Sequence, residues 1–229
     1  MSKIRGYIIL IQFSLTVAVV IVLMYLFRKH HHKIRKAWMN IQIKLLGINL
    51  EEEGSIDTSC DMVLMNHQSL LDIVVMEYIH DRNLAWVAKK QITDLFFFGH
   101  IIKAPRMISI NREDRSGIVT LVKEVKDRLS HGRPIAMFPE GTRGDGTKIA
   151  KFKSGAKIVA DKFKLRVQPV VMLHTRKILD SKTLNATPGI VKVIYLEPVQ
   201  ADKATDWLKE TEVKMRDILE KELKRESAK

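Results

Sequence analysis

The sequence predicts an α/β fold: a mixed, largely parallel sheet covered by helices, entered through an N-terminal hydrophobic membrane helix and an amphipathic second helix. Three observations carry this. Short apolar runs of β type alternate with helical patterns through most of the chain, the order expected when helices cover a sheet. An uncharged run of membrane length stands near the N-terminus, and a stretch with apolar residues three and four apart follows it. The composition can support a core, since 46% of the 229 residues are hydrophobic, with only 11 glycines and 6 prolines. Disorder and fibrous repeats are thereby excluded. A formal charge of +13 and a pI near 9.8 require a negative environment, whether nucleic acid, an anionic membrane or an acidic partner.

The first element is residues 6–27, GYIILIQFSLTVAVVIVLMYLF, which carry no formal charge. As a helix this run is about 33 Å long, close to the hydrocarbon thickness of a bilayer. Lys3 and Arg5 precede it, while Arg28, Lys29, Lys33, Arg35 and Lys36 follow. If the helix spans the cell membrane, that imbalance places the rest of the chain on the cytoplasmic side. The long apolar run and the lack of a small-residue cleavage site argue against a signal peptide. His30, His31 and His32 read as part of the polar collar, because no acidic or cysteine ligand lies near them in sequence.

The second helix is expected over 33–48. Ile34, Trp38, Ile41, Leu45 and Ile48 form its apolar stripe, with Lys33, Arg35, Lys36 and Lys44 among the other positions. A core helix of the domain would show the same stripe. The basic residues beside the apolar run favour an interfacial helix that meets anionic lipid headgroups. Residues 1–48 are therefore expected to anchor the chain and 49–229 to form one further domain.

In that domain the strand-like runs are 62–66, 84–88, 107–110, 135–138, 167–173 and 190–196. Helical patterns fall near 69–80, 91–102, 115–130 and 153–163, and a charged terminal helix over 203–226. The pattern at 115–130 is the clearest, with Ile118, Leu121, Val122, Val125 and Leu129 on one face and Gly132 as a stop. The lone cysteine, Cys60, excludes an intrachain disulfide and reads as a small buried hydrophobe. In sheets of this kind chemistry collects in the loops at the strand ends.

Two loops carry the chemistry. The first, Asn66-His67-Gln68-Ser69-Leu70-Leu71-Asp72, leaves an apolar run and enters a helical pattern. His67 in the loop and Asp72 in the first helical turn can meet, and the helix dipole favours a carboxylate there. Asp72 would then fix the imidazole tautomer and leave the other nitrogen free as a base. The spacing alone carries little information in a chain with eight histidines, and a helix-capping aspartate near a surface histidine would look the same. The second loop, Phe138-Pro139-Glu140-Gly141-Thr142-Arg143, ends another apolar run. Gly141 permits a close approach by a ligand, and Arg143 offers a forked donor suited to phosphate. The stretch 141–148, GTRGDGTK, lacks the Gly-Lys-Ser/Thr ending of a nucleotide loop, so no nucleotide chemistry is expected. Only 7% of residues are aromatic, and no stacking motif is present, so nucleic acid is not an expected partner.

NHQSLLD together with FPEGTR resembles the signature of the glycerolipid acyltransferase family. Ile108-Ser109-Ile110-Asn111-Arg112 is similar to the family's second block, and Val167-Gln168-Pro169-Val170-Val171 to its fourth. The blocks stand in family order over roughly residues 60–175, and the apolar N-terminus also suits the family. Arg106 stands where the family commonly has glycine, Asn111 where aspartate is common and Gly144 where serine often follows.

The resemblance implies a membrane enzyme that transfers an acyl group from a thioester to the sn-2 hydroxyl of lysophosphatidate, making phosphatidate for phospholipid synthesis. The acyl donor would be a thioester of acyl carrier protein or coenzyme A. His67 would be the base, Asp72 its orienting partner, and no acyl-enzyme, metal or cofactor would be needed. Arg112, Glu140, Gly141 and Arg143 would bind the glycerol-phosphate end. Ser69 would serve at the helix start and not as a nucleophile. Another lysolipid or glycerol-3-phosphate could be the acceptor within this reading. A basic protein that binds membrane without catalysis is the competing class, and it has no need of His67 and Asp72 beside an FPEGTR loop.

Overall fold

A computed structural model of the chain describes residues 2–111, 114 and 116–228. Helix α1 (Ser2–Leu26) and helix α2 (His31–Leu46) form an antiparallel pair joined by a short 3-10 turn, and strand β1 (Ile48–Glu53) follows directly. Gly47 ends α2 in the left-handed conformation, a common way to close a helix at glycine. Then come β2 (Met62–Met65), α3 (Leu71–Ile79), β3 (Ala85–Lys89), α4 (Lys90–Thr93), α5 (His100–Lys103), β4 (Ile108–Ile110), α6 (Ser116–Ser130) and β5 (Ile135–Met137). The chain continues through α7 (Ser154–Phe163), β6 (Arg166–Leu173), α8 (Thr175–Ile178), the small pair β7 (Leu179–Asp180) and β8 (Asn185–Ala186), β9 (Gly189–Tyr195), β10 (Val199–Gln200) and α9 (Trp207–Ser227).

The main sheet has eight strands in the order β1-β9-β6-β2-β5-β3-β4, with β10 paired to β6. β6, β2, β5, β3 and β4 are mutually parallel, and β9 runs antiparallel to β6. The fold class is thus the mixed, largely parallel sheet expected. Both faces of the centre are covered, and so β2 (MVLM) is buried at every residue rather than at alternate ones. Val63 and Met65 pack toward α1, α2 and α3, while Met62 and Leu64 pack toward α6, α7 and α9.

The short elements α8, β7, β8 and β10 had no counterpart in the sequence expectation, and three larger differences stand beside them. The expected helix over 91–102 is two short helices separated by a turn, because the chain doubles back at Gly99. A Cβ there would lie 2.1 Å from the Thr93 carbonyl oxygen. The turn leaves Phe96 almost fully exposed. β1 (INLEEE) was invisible to hydropathy because it is an edge strand with its glutamates in solvent. The amphipathic reading of α2 needs correction too. The helix forms, but its expected stripe is split: Trp38 is buried with Arg35, Met39, Gln42, Ile43 and Leu46, while Ile41 and Leu45 are exposed. Arg35, read from sequence as part of a basic rim, points into the protein.

Candidate active site

β2, β5 and β6 are adjacent and parallel, so the loops that follow their C-terminal ends gather at one edge of the sheet. The loop after β2 carries His67. The Asn66 side chain pins its start, donating to the Met172 carbonyl of β6 at 2.9 Å and accepting the Met172 N–H at 2.8 Å. A strand-to-loop junction tied to its neighbour in this way leaves the next residue little freedom.

His67 and Asp72 meet as the loop-and-first-turn geometry requires. His67 Nδ1 lies 2.7 Å from Asp72 Oδ2. Asp72 is fully buried, and the same oxygen accepts the main-chain N–H groups of Gln68 and Ser69 at 2.6 and 2.9 Å. An ionised carboxylate only accepts, so Nδ1 must carry its proton, leaving the Nε2 lone pair free. The His67 ring stacks on Phe138 at 3.8 Å between centroids, 8° from parallel, which sets its plane. Asp72 Oδ1 accepts a hydrogen bond from the Thr175 hydroxyl, a residue the sequence reading did not single out.

The loop after β5 folds over His67. Gly144 N–H donates to the His67 carbonyl at 2.7 Å, and Gly141 adopts a φ of 75°. Glu140, expected at the glycerol-phosphate end, turns its carboxylate inward. It is 2% exposed. One oxygen accepts His67 N–H and the other Ala150 N–H, each at 2.7 Å. Burial pushes its carboxyl above the ordinary range, and the two main-chain donors oppose that rise. Glu140 therefore holds the His67 loop from behind. Ser69 is also inward-facing, its hydroxyl donating to the Leu179 carbonyl at 2.7 Å and accepting Leu71 N–H. It is not poised as a nucleophile.

His67, Gly141, Thr142 and Arg143 line a cavity of about 530 Å³. Most of its wall is apolar, from Leu10, Phe13 and Val17 of α1, Trp38 and Met39 of α2, Ile73 and Val74 of α3, and Ile101 and Ile102 of α5. One charged pair interrupts that wall. Arg35 donates to Glu77 at 2.7 Å, and Trp86 Nε1 donates to the same oxygen at 2.7 Å. The Arg143 guanidinium is exposed and, among the described residues, reaches only the Ser181 hydroxyl, at a weak 3.4 Å. Arg112 lies outside the described residues. Among the described residues, then, His67, Gly141 and Arg143 line one cavity, while Asp72 is buried against the His67 ring and Glu140 against its main chain.

A buried carboxylate, a tautomer-fixed histidine and an adjacent cation beside a long apolar cavity suit proton removal from a hydroxyl on an anionic lipid. Residues 47–173, more than half of the chain, match the acyltransferase family. The chain belongs to the acyltransferase family. The resemblance seen in its sequence blocks is borne out. The chain is similar to 1-acyl-sn-glycerol-3-phosphate acyltransferase of Helicobacter pylori, 40% identical over 88% of this chain and 86% of that protein. It is 31% identical to 1-acyl-sn-glycerol-3-phosphate acyltransferase LPAT1, chloroplastic, of Arabidopsis thaliana over 77% of this chain, and spans 51% of that longer protein. In fold it resembles the crystal structure of the 1-acyl-sn-glycerophosphate acyltransferase PlsC from Thermotoga maritima. The TM-score is 0.75, with 23% identity, and the likeness covers 100% of this chain and 99% of that one. The departures at Arg106 and Gly144 both have places in this acyltransferase. Arg106 takes a positive φ of 53°, a conformation glycine adopts freely. Gly144 lies against the His67 carbonyl, where a Cβ would sit 3.6 Å from that oxygen.

Proposed function

We propose that this acyltransferase acylates the sn-2 hydroxyl of lysophosphatidate, using a thioester of acyl carrier protein or coenzyme A, and releases phosphatidate and the free thiol. The observation that carries the reading is the His67–Asp72 pair, buried on the Asp72 side and open to an apolar cavity on the His67 side. Nε2 takes the hydroxyl proton as the oxygen attacks the thioester carbonyl. Asp72 steadies the imidazolium. The tetrahedral adduct then collapses, the C–S bond breaks, and the proton passes from Nε2 to the departing sulfur. Arg143 and Arg112 receive the phosphate, Gly141 lets the loop approach it, and Glu140 fixes His67 through its main chain.

Residues 1–48 serve in this reading as the membrane-anchoring segment. One face of α1 packs on the protein through Gly6, Ile9, Val17, Val20, Ile21 and Met24. The exposed residues Ile4, Ile8, Ile11, Leu15, Val19, Val22 and Leu26 recur at steps of three and four along the other. The helix is apolar on both faces and long enough to cross a bilayer. The apolar stripe and the lysines beside it support attachment to anionic lipid at the cytoplasmic face of the cell membrane. Membranes holding the protein, given labelled lysophosphatidate and either thioester, should yield phosphatidate. His67→Ala should remove at least about 1,000-fold of the rate, as loss of a general base does in triad enzymes, with membrane attachment retained. Substantial turnover by purified His67→Ala would refute the base assignment, and a panel of other lysolipids and glycerol-3-phosphate checks the acceptor.

A further inference from the structure

We infer that Thr175 is a positioning residue of the reaction, acting through Asp72. The inference rests on the His67–Asp72 pair assigned above. Thr175 is fully buried at the start of α8, 103 residues from Asp72 in sequence, and its hydroxyl donates to Asp72 Oδ1 at 2.5 Å. The three other donors to this carboxylate, His67 Nδ1, Gln68 N and Ser69 N, all meet Oδ2. All three come from Asp72's own loop, so they move with it. Those contacts leave Oδ1, the second oxygen of a fully buried carboxylate, without a donor from that loop, and a buried acceptor left unpaired is costly. The Thr175 donor meets that second oxygen from a separate element, so it ties the carboxylate to the turn after β6 and opposes any rotation that would carry Oδ2 away from the imidazole.

The placement of Thr175 is itself held from outside the loop. β6 ends at Leu173, and His174 turns the chain with a φ of 71°, an unusual value for a residue with a side chain. The His174 ring is bonded to Glu226 on α9 at 2.5 Å. The terminal helix, the turn after β6, Thr175, Asp72 and His67 thus form one continuous series of contacts. A hydroxyl next to an ionised carboxylate can only donate to it, so the Thr175 proton is committed to Asp72 and takes no part in transfer. Its effect must appear in the rate of the chemical step and not in the binding of either substrate.

The test compares Thr175→Val, Thr175→Ser and His67→Ala, each purified in detergent with the folded fraction measured by thermal unfolding. Kinetics per folded molecule use lysophosphatidate and an acyl thioester. Valine keeps the shape and removes the donor. Thr175→Val should lower kcat by about 10- to 100-fold, the range expected for a lost hydrogen bond to a charged group, with both KM values unchanged within about 2-fold. Serine restores the donor, and Thr175→Ser should keep at least about half of kcat. Should valine prevent folding, Thr175→Ala is read by the same criteria. A kcat for Thr175→Val near that of the parent, a loss that falls on KM, or a serine variant as slow as valine would each overturn the inference. His67→Ala is the separate control. If that variant stays active, the base assignment is wrong, whatever Thr175 does.

Discussion

Two buried carboxylates flank His67 and act on different parts of it. Asp72 holds the ring, and Glu140 holds the backbone at 2.7 Å. Both are supplied with main-chain N–H groups, which offset the cost of burying charge. Arg143 has the opposite character, an exposed guanidinium beside the cavity with, among the described residues, only the Ser181 hydroxyl near its fork at 3.4 Å. A phosphate monoester would give that fork a bidentate partner. Arg143→Ala should raise KM for lysophosphatidate by about 10- to 100-fold, leave the thioester KM little changed, and be rescued only partly by lysine. Initial-rate kinetics with each substrate varied in turn decide it, and a rise confined to the thioester would assign the cation to the other substrate. At this scale the sequence showed which residues matter better than it showed what they do. His67 and Asp72 were legible through NHQSLLD and FPEGTR in combination, since the spacing of the two residues alone carries little information. The inward turn of Glu140 was not legible, because nothing in FPEGTR says that its carboxylate meets main-chain amides from two other segments. Thr175 left no trace at all, since one threonine after an apolar run has no spacing to betray it.

The elements around the cavity are joined by charge as well as by apolar contact. Arg35 of α2 and Glu77 of α3 are 3% exposed, and the pair ties the N-terminal helices to the helix that follows the His67 loop. Arg35 also donates to Asn83 at 2.7 Å. Burial lowers the Arg35 pKa, and Glu77 opposes that shift. Removing one member of a buried pair leaves the other charge without compensation, which typically costs about 3–5 kcal/mol. Arg35→Met should therefore unfold at a markedly lower temperature. Adding Glu77→Gln should recover much of the loss, because glutamine keeps a carbonyl oxygen for Trp86 Nε1. Thermal unfolding of the two singles and the double forms the cycle, and strictly additive losses would show that the pair is not coupled. Element boundaries were legible where one face of an element is apolar, as in α6, and where both faces are buried, as in β2 and β6. They were not legible in β1, where Glu51 and Glu53 meet Lys192 of β9; α2 was legible as a helix but its buried face was not, because a periodicity of apolar residues says nothing about an inward arginine whose partner lies 42 positions away.

Across the whole molecule, the order of strands explains why distant blocks share one site. β5 and β6 flank β2, so residues near 67, 140 and 175 become neighbours, an adjacency the sequence implied only through its resemblance to a family. The same packing buries titratable groups that take no part in the chemistry, and these set how stability depends on pH. His80 closes α3, 1% exposed, with Nδ1 accepting Arg82 N–H at 3.1 Å. Burial, then the nearby Arg82, lowers its pKa to about 4, and burial with Arg35 and Arg133 does the same for His31. The unfolded chain takes up these protons near pH 6.5, the folded protein only near 4. Between those values the unfolded state binds more protons, so stability falls as pH falls, for His80 by on the order of 3 kcal/mol at most. Glu140 has the opposite sign, because its raised carboxyl takes up a proton earlier in the folded state, and it offsets part of the loss. The lowered carboxyls, such as Asp57 at about 2, add their losses only at more acid pH. Thermal unfolding between pH 7.5 and 4.5 should thus show a decline that begins near 6.5, well above the carboxylate range. His80→Asn offers an oxygen to Arg82 N–H and does not titrate, and its curve should be flatter through that window. An unchanged slope in the asparagine variant would mean that His80 is charged in the folded protein and contributes nothing to the decline.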